Sequence, residues 1–154
     1  MGDRCYYKAG VRREDLPRFV EILIGETYES VEAFLKVHKY VEDGPFIEVE
    51  VEAINYGGWT ETEEAAAEGL VFRGWHGAAG DYSACSFVAL DKELYSTIDL
   101  DGPVASVVCM MNEEGKATVS IDEAQLVRIR EYAEAWWRFR RLYPTVPVGA
   151  EEAA

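Results

Sequence analysis

Phe46-Ile47-Glu48-Val49-Glu50-Val51-Glu52-Ala53-Ile54 alternates apolar and acidic residues without a break, and its reading decides the fold. A period of two marks a half-buried strand, with one face on a core and the other in water. Ile47, Val49, Val51 and Ala53 are expected to face inward, leaving Glu48, Glu50 and Glu52 on the opposite side. Same-face residues of a strand lie about 6.6–6.8 Å apart, so these carboxylates would form an evenly spaced anionic row. Like charges in a row repel and glutamate is a poor strand former, so the row costs stability unless a cation lies opposite.

Upstream, Arg4 to Val11 reads as a first strand. Glu14-Asp15 before Leu16-Pro17 suits the first turn of a helix, with Phe19, Val20, Leu23 and Ile24 as its apolar stripe and Gly25 as its stop. A second helix carries Tyr28, Val31, Phe34, Leu35, His38 and Val41 at helical spacing and is expected to end at Gly44-Pro45. On that stripe His38 reads as a core or boundary residue.

Downstream, Asn55 to Gly58 breaks the strand, and Thr60 with Glu63 has the capping-box spacing of a short helix through Ala67. Leu70 begins another strand, a glycine-rich loop runs from Gly74 to Gly80, and Tyr82 to Leu90 alternates again. Asp99 to Pro103 is a turn. Val104 to Met111 reads as a buried strand, Asn112 to Gly115 as a hairpin loop, and Lys116 to Ile121 as the return strand. Asp122 with Gln125 caps a long helix that Pro144 ends, with Leu126, Ile129, Ala133, Trp136 or Trp137, and Tyr143 as its apolar side.

This order of elements implies one α+β domain over residues 1–144, followed by a disordered acidic tail over 145–154. A mostly antiparallel sheet with helices packed on one face is expected, in a ferredoxin-like arrangement with an added hairpin. The 154 residues, 49% of them hydrophobic and 19 aromatic, suffice for a core. No apolar run approaches the roughly 20 residues that span a bilayer and no signal peptide opens the chain, so a cytoplasmic protein without membrane association is expected. Cys5, Cys85 and Cys109 are odd in number and form no CxxC pair, so each reads as a small buried hydrophobe and no metal site is expected.

The formal charge of −14 is unevenly placed. Residues 1–41 balance seven acids with seven bases, 42–123 carry eighteen acids against three bases, and 124–154 carry four against five. From Glu42 to Phe72 there are nine carboxylates and no Lys or Arg. Such a field repels nucleic acid and attracts basic proteins. The partner-binding surface expected from it comprises Glu48, Glu50, Glu52, Glu61, Glu63 and Glu64. Three explanations compete for the acidic strand: a solvated edge-protecting face, pairing with the arginines of the last helix, or a surface for a basic partner such as a nucleic-acid-binding protein. In size and charge the chain resembles small acidic phage-encoded inhibitors and immunity proteins against nuclease toxins. That resemblance implies a non-enzymatic binding protein engaging a basic protein partner.

An alternative places a small-ligand or enzymatic pocket at Tyr56, Trp59, Trp75, His76, Asp81 and Tyr82, where glycines permit close backbone approach and aromatic walls supply contact. Neither a phosphate-binding loop nor a dinucleotide fingerprint occurs, and no cofactor is expected. His76, Cys85 and Asp81 could make a nucleophile, base and orienting group only if the fold joins them. Ser83 and Ser86 lack the nucleophile elbow, and Asp99-Leu100-Asp101-Gly102 fails as a calcium loop at Val108. Adjacent Trp136 and Trp137 point about 100° apart on a helix, so one of them suits a contact between copies of the chain.

Overall fold

The computed structural model describes residues 4–38, 42–80, 83–98 and 107–144. The turn expected at 99–103 and the acidic tail at 145–154 lie outside them. Eight strands are described: β1 (Arg4–Arg12), β2 (Glu42–Asp43), β3 (Phe46–Asn55), β4 (Phe72–His76), β5 (Cys85–Leu90), β6 (Glu93–Ile98), β7 (Val107–Met111) and β8 (Ala117–Ile121). The helices are α1 (Leu16–Ile24), α2 (Val31–Val37), α3 (Trp59–Ala67) and α4 (Glu123–Leu142). Six strands form one antiparallel sheet in the order β2-β3-β1-β4-β5-β6, and β7 with β8 form a separate ribbon.

The fold is α+β. The strands β1 to β4, ordered β2-β3-β1-β4 with helices after β1 and β3, have the ferredoxin-like arrangement. β3 and β4 both run antiparallel to β1, so α3 crosses over between two parallel strands. The hairpin added to this sheet is β5–β6, whose second strand is not among the elements expected from the sequence. The expected hairpin, β7–β8, exists but stands apart from the sheet.

Strand alternation divides the sheet into two faces. Tyr7, Ala9, Val11, Ile47, Val49, Phe72, Phe87 and Ala89 build one core with Leu16, Phe19, Val20 and Leu23 of α1, Phe34 of α2 and Ala65 and Ala66 of α3. Helices α1 to α3 therefore take the single face that was expected to hold all helices. α4 lies on the other, where Ala135 and Phe139 meet Phe46, Val71, Val88 and Leu90. Trp136 stacks on Phe139 at 5.8 Å, while Leu126 and Ala133, expected to be inward, are exposed. The aromatic bulk of Phe46 and Phe139, 5.1 Å apart, sets the helix's rotation.

Local signals account for the element ends. Pro17 occupies the first turn of α1, and Gly25 ends it in the left-handed region at φ 72°. Ser30 caps α2 by accepting from the Ala33 amide, but that helix stops at Val37, short of the Gly44-Pro45 end expected for it. His38 follows in extended geometry, hydrogen-bonded to the Tyr28 hydroxyl at 2.6 Å and stacked on Phe34, which is the boundary role expected of it. α3 begins at Trp59 after left-handed Gly58, and Thr60 caps nothing. Asp122 does cap α4, accepting from the Ala124 and Gln125 amides.

Candidate functional site

The acidic strand pairs along its length with β1. Lys8 lies opposite Glu50, and Gly10 opposite Glu48. Since Gly10 has no side chain, the Lys8 ammonium reaches both carboxylates, at 2.9 Å from Glu48 and 3.2 Å from Glu50. The Glu50 carboxyl is held below its ordinary range, first by the Tyr6 hydroxyl and then by Lys8. Lys8 is correspondingly raised, with Glu48 the larger cause and Glu50 the second. The counter-cation is therefore Lys8 and not an arginine of α4.

The row also ends early. Tyr7 pairs with Val51 and Cys5 with Ile54, so β3 spends three steps where β1 spends two. That bulge at Glu52-Ala53 shifts the alternation by one, puts Ile54 in the core and leaves Ala53 exposed, the reverse of its expected inward position. Glu52 is exposed and has no ion-pair partner among the described residues. On α3, Glu63 accepts from the Trp59 indole at 2.9 Å, while Glu61 and Glu64 have no cation beside them among the described residues. Thus two of the six expected partner-binding carboxylates share one cation within the chain. Four remain, at the end of β3 and along α3, with half-exposed Tyr56 between the two elements at φ 50°.

Four of the six residues expected to line a pocket at the glycine and tryptophan loops are described, and these four do not converge. Trp75 and His76 are neighbours on β4, so they face opposite sides of the sheet. Trp75 is 39% exposed and lies near Tyr6 on the acidic side, with ring centroids 6.1 Å apart. His76, at 3% exposure, is enclosed on the helical side beneath Trp59 and against the backbone of Gly57, where an added Cβ would sit 3.0 Å from the ring. Its Nδ1 is 3.1 Å from the Gly77 carbonyl oxygen. Tyr56 faces solvent, and Asp81 and Tyr82 lie outside the described residues. Strand geometry separates Trp75 from His76, because adjacent residues of β4 stand on opposite faces of the sheet.

His76 and Cys85 are register partners on β4 and β5, as the suggested nucleophile and base require. Both are buried, and the Cys85 thiol donates to the Ser86 carbonyl oxygen at 3.5 Å. Nothing in this geometry opens the pair to a substrate. Among the described residues no group of three or more His, Cys, Asp and Glu side chains could hold a metal, and no helix is long and apolar enough to cross a membrane.

Two surfaces escaped the sequence reading. Lys8 is one. The other is the β7–β8 ribbon, whose register sets Cys109 opposite Val119 and Met111 opposite Ala117, so that these apolar residues share one face. Val104 to Met111 was expected to be buried, and so was Cys109. Instead Cys109, Met111, Val119 and Ile121 are all exposed. The alternation of Val119 and Ile121 with Thr118 and Ser120 was the available signal.

No family model, no curated protein and no solved structure matches the chain. Fold and surface together define an α+β domain of ferredoxin-like order, with carboxylates on β3 and α3 that no cation faces among the described residues and an exposed apolar face on the β7–β8 ribbon.

Proposed function

We propose that the chain is a non-enzymatic cytoplasmic binding protein whose acidic end engages a basic protein partner. The observation that carries this reading is the uneven fate of the acidic block. Glu48 and Glu50 share the Lys8 ammonium, and Glu68 shares the Arg18 guanidinium with Glu21, whereas Glu52, Glu61, Glu63 and Glu64 have no cation beside them among the described residues. Unbalanced carboxylates grouped at one end draw a cationic surface from a distance and penalise anionic ones. Tyr56 beside them supplies the aromatic contact that interfaces favour. A nucleic-acid-binding protein suits such a surface, because its cationic groove is built to receive a row of anions. An inhibitor or immunity-like factor would act by occupying that groove.

The test is capture of proteins from extract of the source cells, followed by direct binding of the recovered basic protein. Changing Glu52, Glu61 and Glu64 together to lysine is expected to weaken binding roughly 100-fold, and added salt to weaken it for the unmodified chain. Reversing Glu48 alone is expected to act through stability and leave affinity nearly intact. A partner held equally well by the triple variant at every ionic strength would overturn the reading.

A further inference from the structure

We infer that the recess between β4 and the end of α4 binds an aromatic phosphate monoester, with the phosphate on Arg73 and Arg140 and the ring against Trp136. This recess lies away from the acidic end. β3 runs from Phe46, which packs on Phe139 of α4, to Asn55, where the chain turns toward α3, and the two helices cover opposite faces of the sheet.

Helical spacing builds one wall. Trp136, Phe139, Arg140 and Tyr143 stand at i, i+3, i+4 and i+7, so all four share one side of α4. Arg73 comes from β4 and completes an open recess of about 240 Å³, whose lining among the described residues is these five and holds no carboxylate. The Arg73 guanidinium lies 5.6 Å over the Trp136 ring and crosses Gly10, where an added Cβ would meet its Cζ at 3.6 Å. An arginine carries five donors in a rigid planar fork, so one stacked in this way still presents an edge to an anion. Among the described residues no carboxylate pairs with Arg140, in a chain of 29 acids and 15 bases. At the rim, the Tyr143 hydroxyl accepts from Nη1 of Arg12 at 3.4 Å, whereas Asp15 and Glu14 take the Nε side of that guanidinium. Lys8 and Glu48 line an adjoining recess of about 170 Å³ and pair with each other.

Two arginines without an acid match a dianion. A phosphate monoester carries about −1.5 to −2 charges near pH 7, against one for a carboxylate. Arginine meets phosphate through two parallel charge-assisted hydrogen bonds, which are among the stronger kinds. The last-turn place of Arg140 suits the helix dipole, which accounts for a cation there but not for its meeting with Arg73 from another element. The −14 charge of the chain opposes any anion, so stacking of a ring on the aromatic wall has to add to the two arginines. The space is smaller than the roughly 300–1,000 Å³ of drug-sized pockets, which limits the ligand to about one ring.

NMR titration with phenyl phosphate, followed at the Trp136 indole and the Arg140 guanidinium, tests the site. Both signals are expected to shift and saturate. Inorganic phosphate lacks the ring and benzoate lacks the second charge, so each is expected to bind about 10-fold more weakly. Arg140→Gln, at an exposed position, is expected to weaken phenyl phosphate binding about 10-fold and to leave the thermal midpoint unchanged. Arg141→Gln is its control: that guanidinium stands over Trp137, outside the recess, and its loss is expected to leave binding intact. Absence of a saturable shift in the unmodified chain overturns the inference, as does equal binding by the Arg140→Gln chain. Inorganic phosphate or benzoate held as tightly as phenyl phosphate overturns it too.

Discussion

Tyr7 is enclosed completely, and its hydroxyl has one outlet. The Thr62 hydroxyl donates to the Gly58 carbonyl at 2.7 Å, so the Tyr7 hydroxyl must donate to Thr62 at 3.0 Å. Burial pushes the Tyr7 phenol well above its ordinary value, with the Thr62 bond acting against that rise. This short relay ties β1 to the first turn of α3. Thr62→Val is expected to strand two polar groups and cost about 1–3 kcal/mol in urea unfolding, whereas Tyr7→Phe, which leaves Thr62 able to keep its bond to Gly58, is expected to cost about 1 kcal/mol. Equal losses from the two variants would contradict the relay. Gly74 shows a constraint of another kind. A Cβ there would collide with the Lys8 carbonyl oxygen, which only backbone movement relieves, and would lie 2.7 Å from the buried Phe87 ring. Gly74→Ala is expected to destabilise the domain by about 3 kcal/mol in the same assay. Gly10→Ala is its control: the nearest neighbour is the Arg73 side chain at 3.6 Å, so it is expected to be nearly neutral.

At the scale of elements, β3 holds its acidic face through β1, and that pairing has a defined pH window. Glu50 is depressed in the folded chain, so its contribution is present above the ordinary carboxylate value near 4.3 and is lost as pH falls through the lower folded value. Lys8 is raised, so its contribution holds below about 10.4 and is lost as pH rises past the higher folded value. Glu50→Gln is therefore expected to lower the thermal midpoint at pH 7 and to make no difference at pH 2. A deficit of equal size at both pH values would exclude the pairing as its source. Much of this architecture was legible beforehand, because β3 alternates up to its bulge and α1 carries its stripe between Pro17 and Gly25. The bulge was not, since the apolar–acidic pattern runs through Glu52-Ala53 without a mark. β6 was missed because its turn, Asp91-Lys92, has both residues at positive φ without the glycine that normally signals it. The separation of Trp75 from His76, by contrast, is legible from strand parity alone.

For the whole molecule, charge opposes compactness and local pairing relieves it only in part. Exposed pairs such as Arg18 with Glu68 and Arg13 with Glu42 are screened by solvent and weaken with salt. Against them stands a net charge of −14, most of it in the middle of the chain and much of it without a cation. Repulsion among those carboxylates acts over distances comparable to the domain when the screening length is about 30 Å, as at roughly 0.01 M salt. It fades when that length falls below about 10 Å. The two effects have opposite signs in salt, so one titration decides which prevails. Because the surplus carboxylates outnumber the paired ones on the acidic end, the thermal midpoint at pH 7 is expected to rise between about 0.01 and 0.3 M sodium chloride, at fixed protein concentration. The variant carrying lysine at positions 52, 61 and 64 removes the repulsive set and is expected to flatten that rise. A midpoint that falls with salt in the unmodified chain would mean that its ion pairs outweigh its excess charge. The acidic end would then be a balanced surface with little reach toward a basic partner.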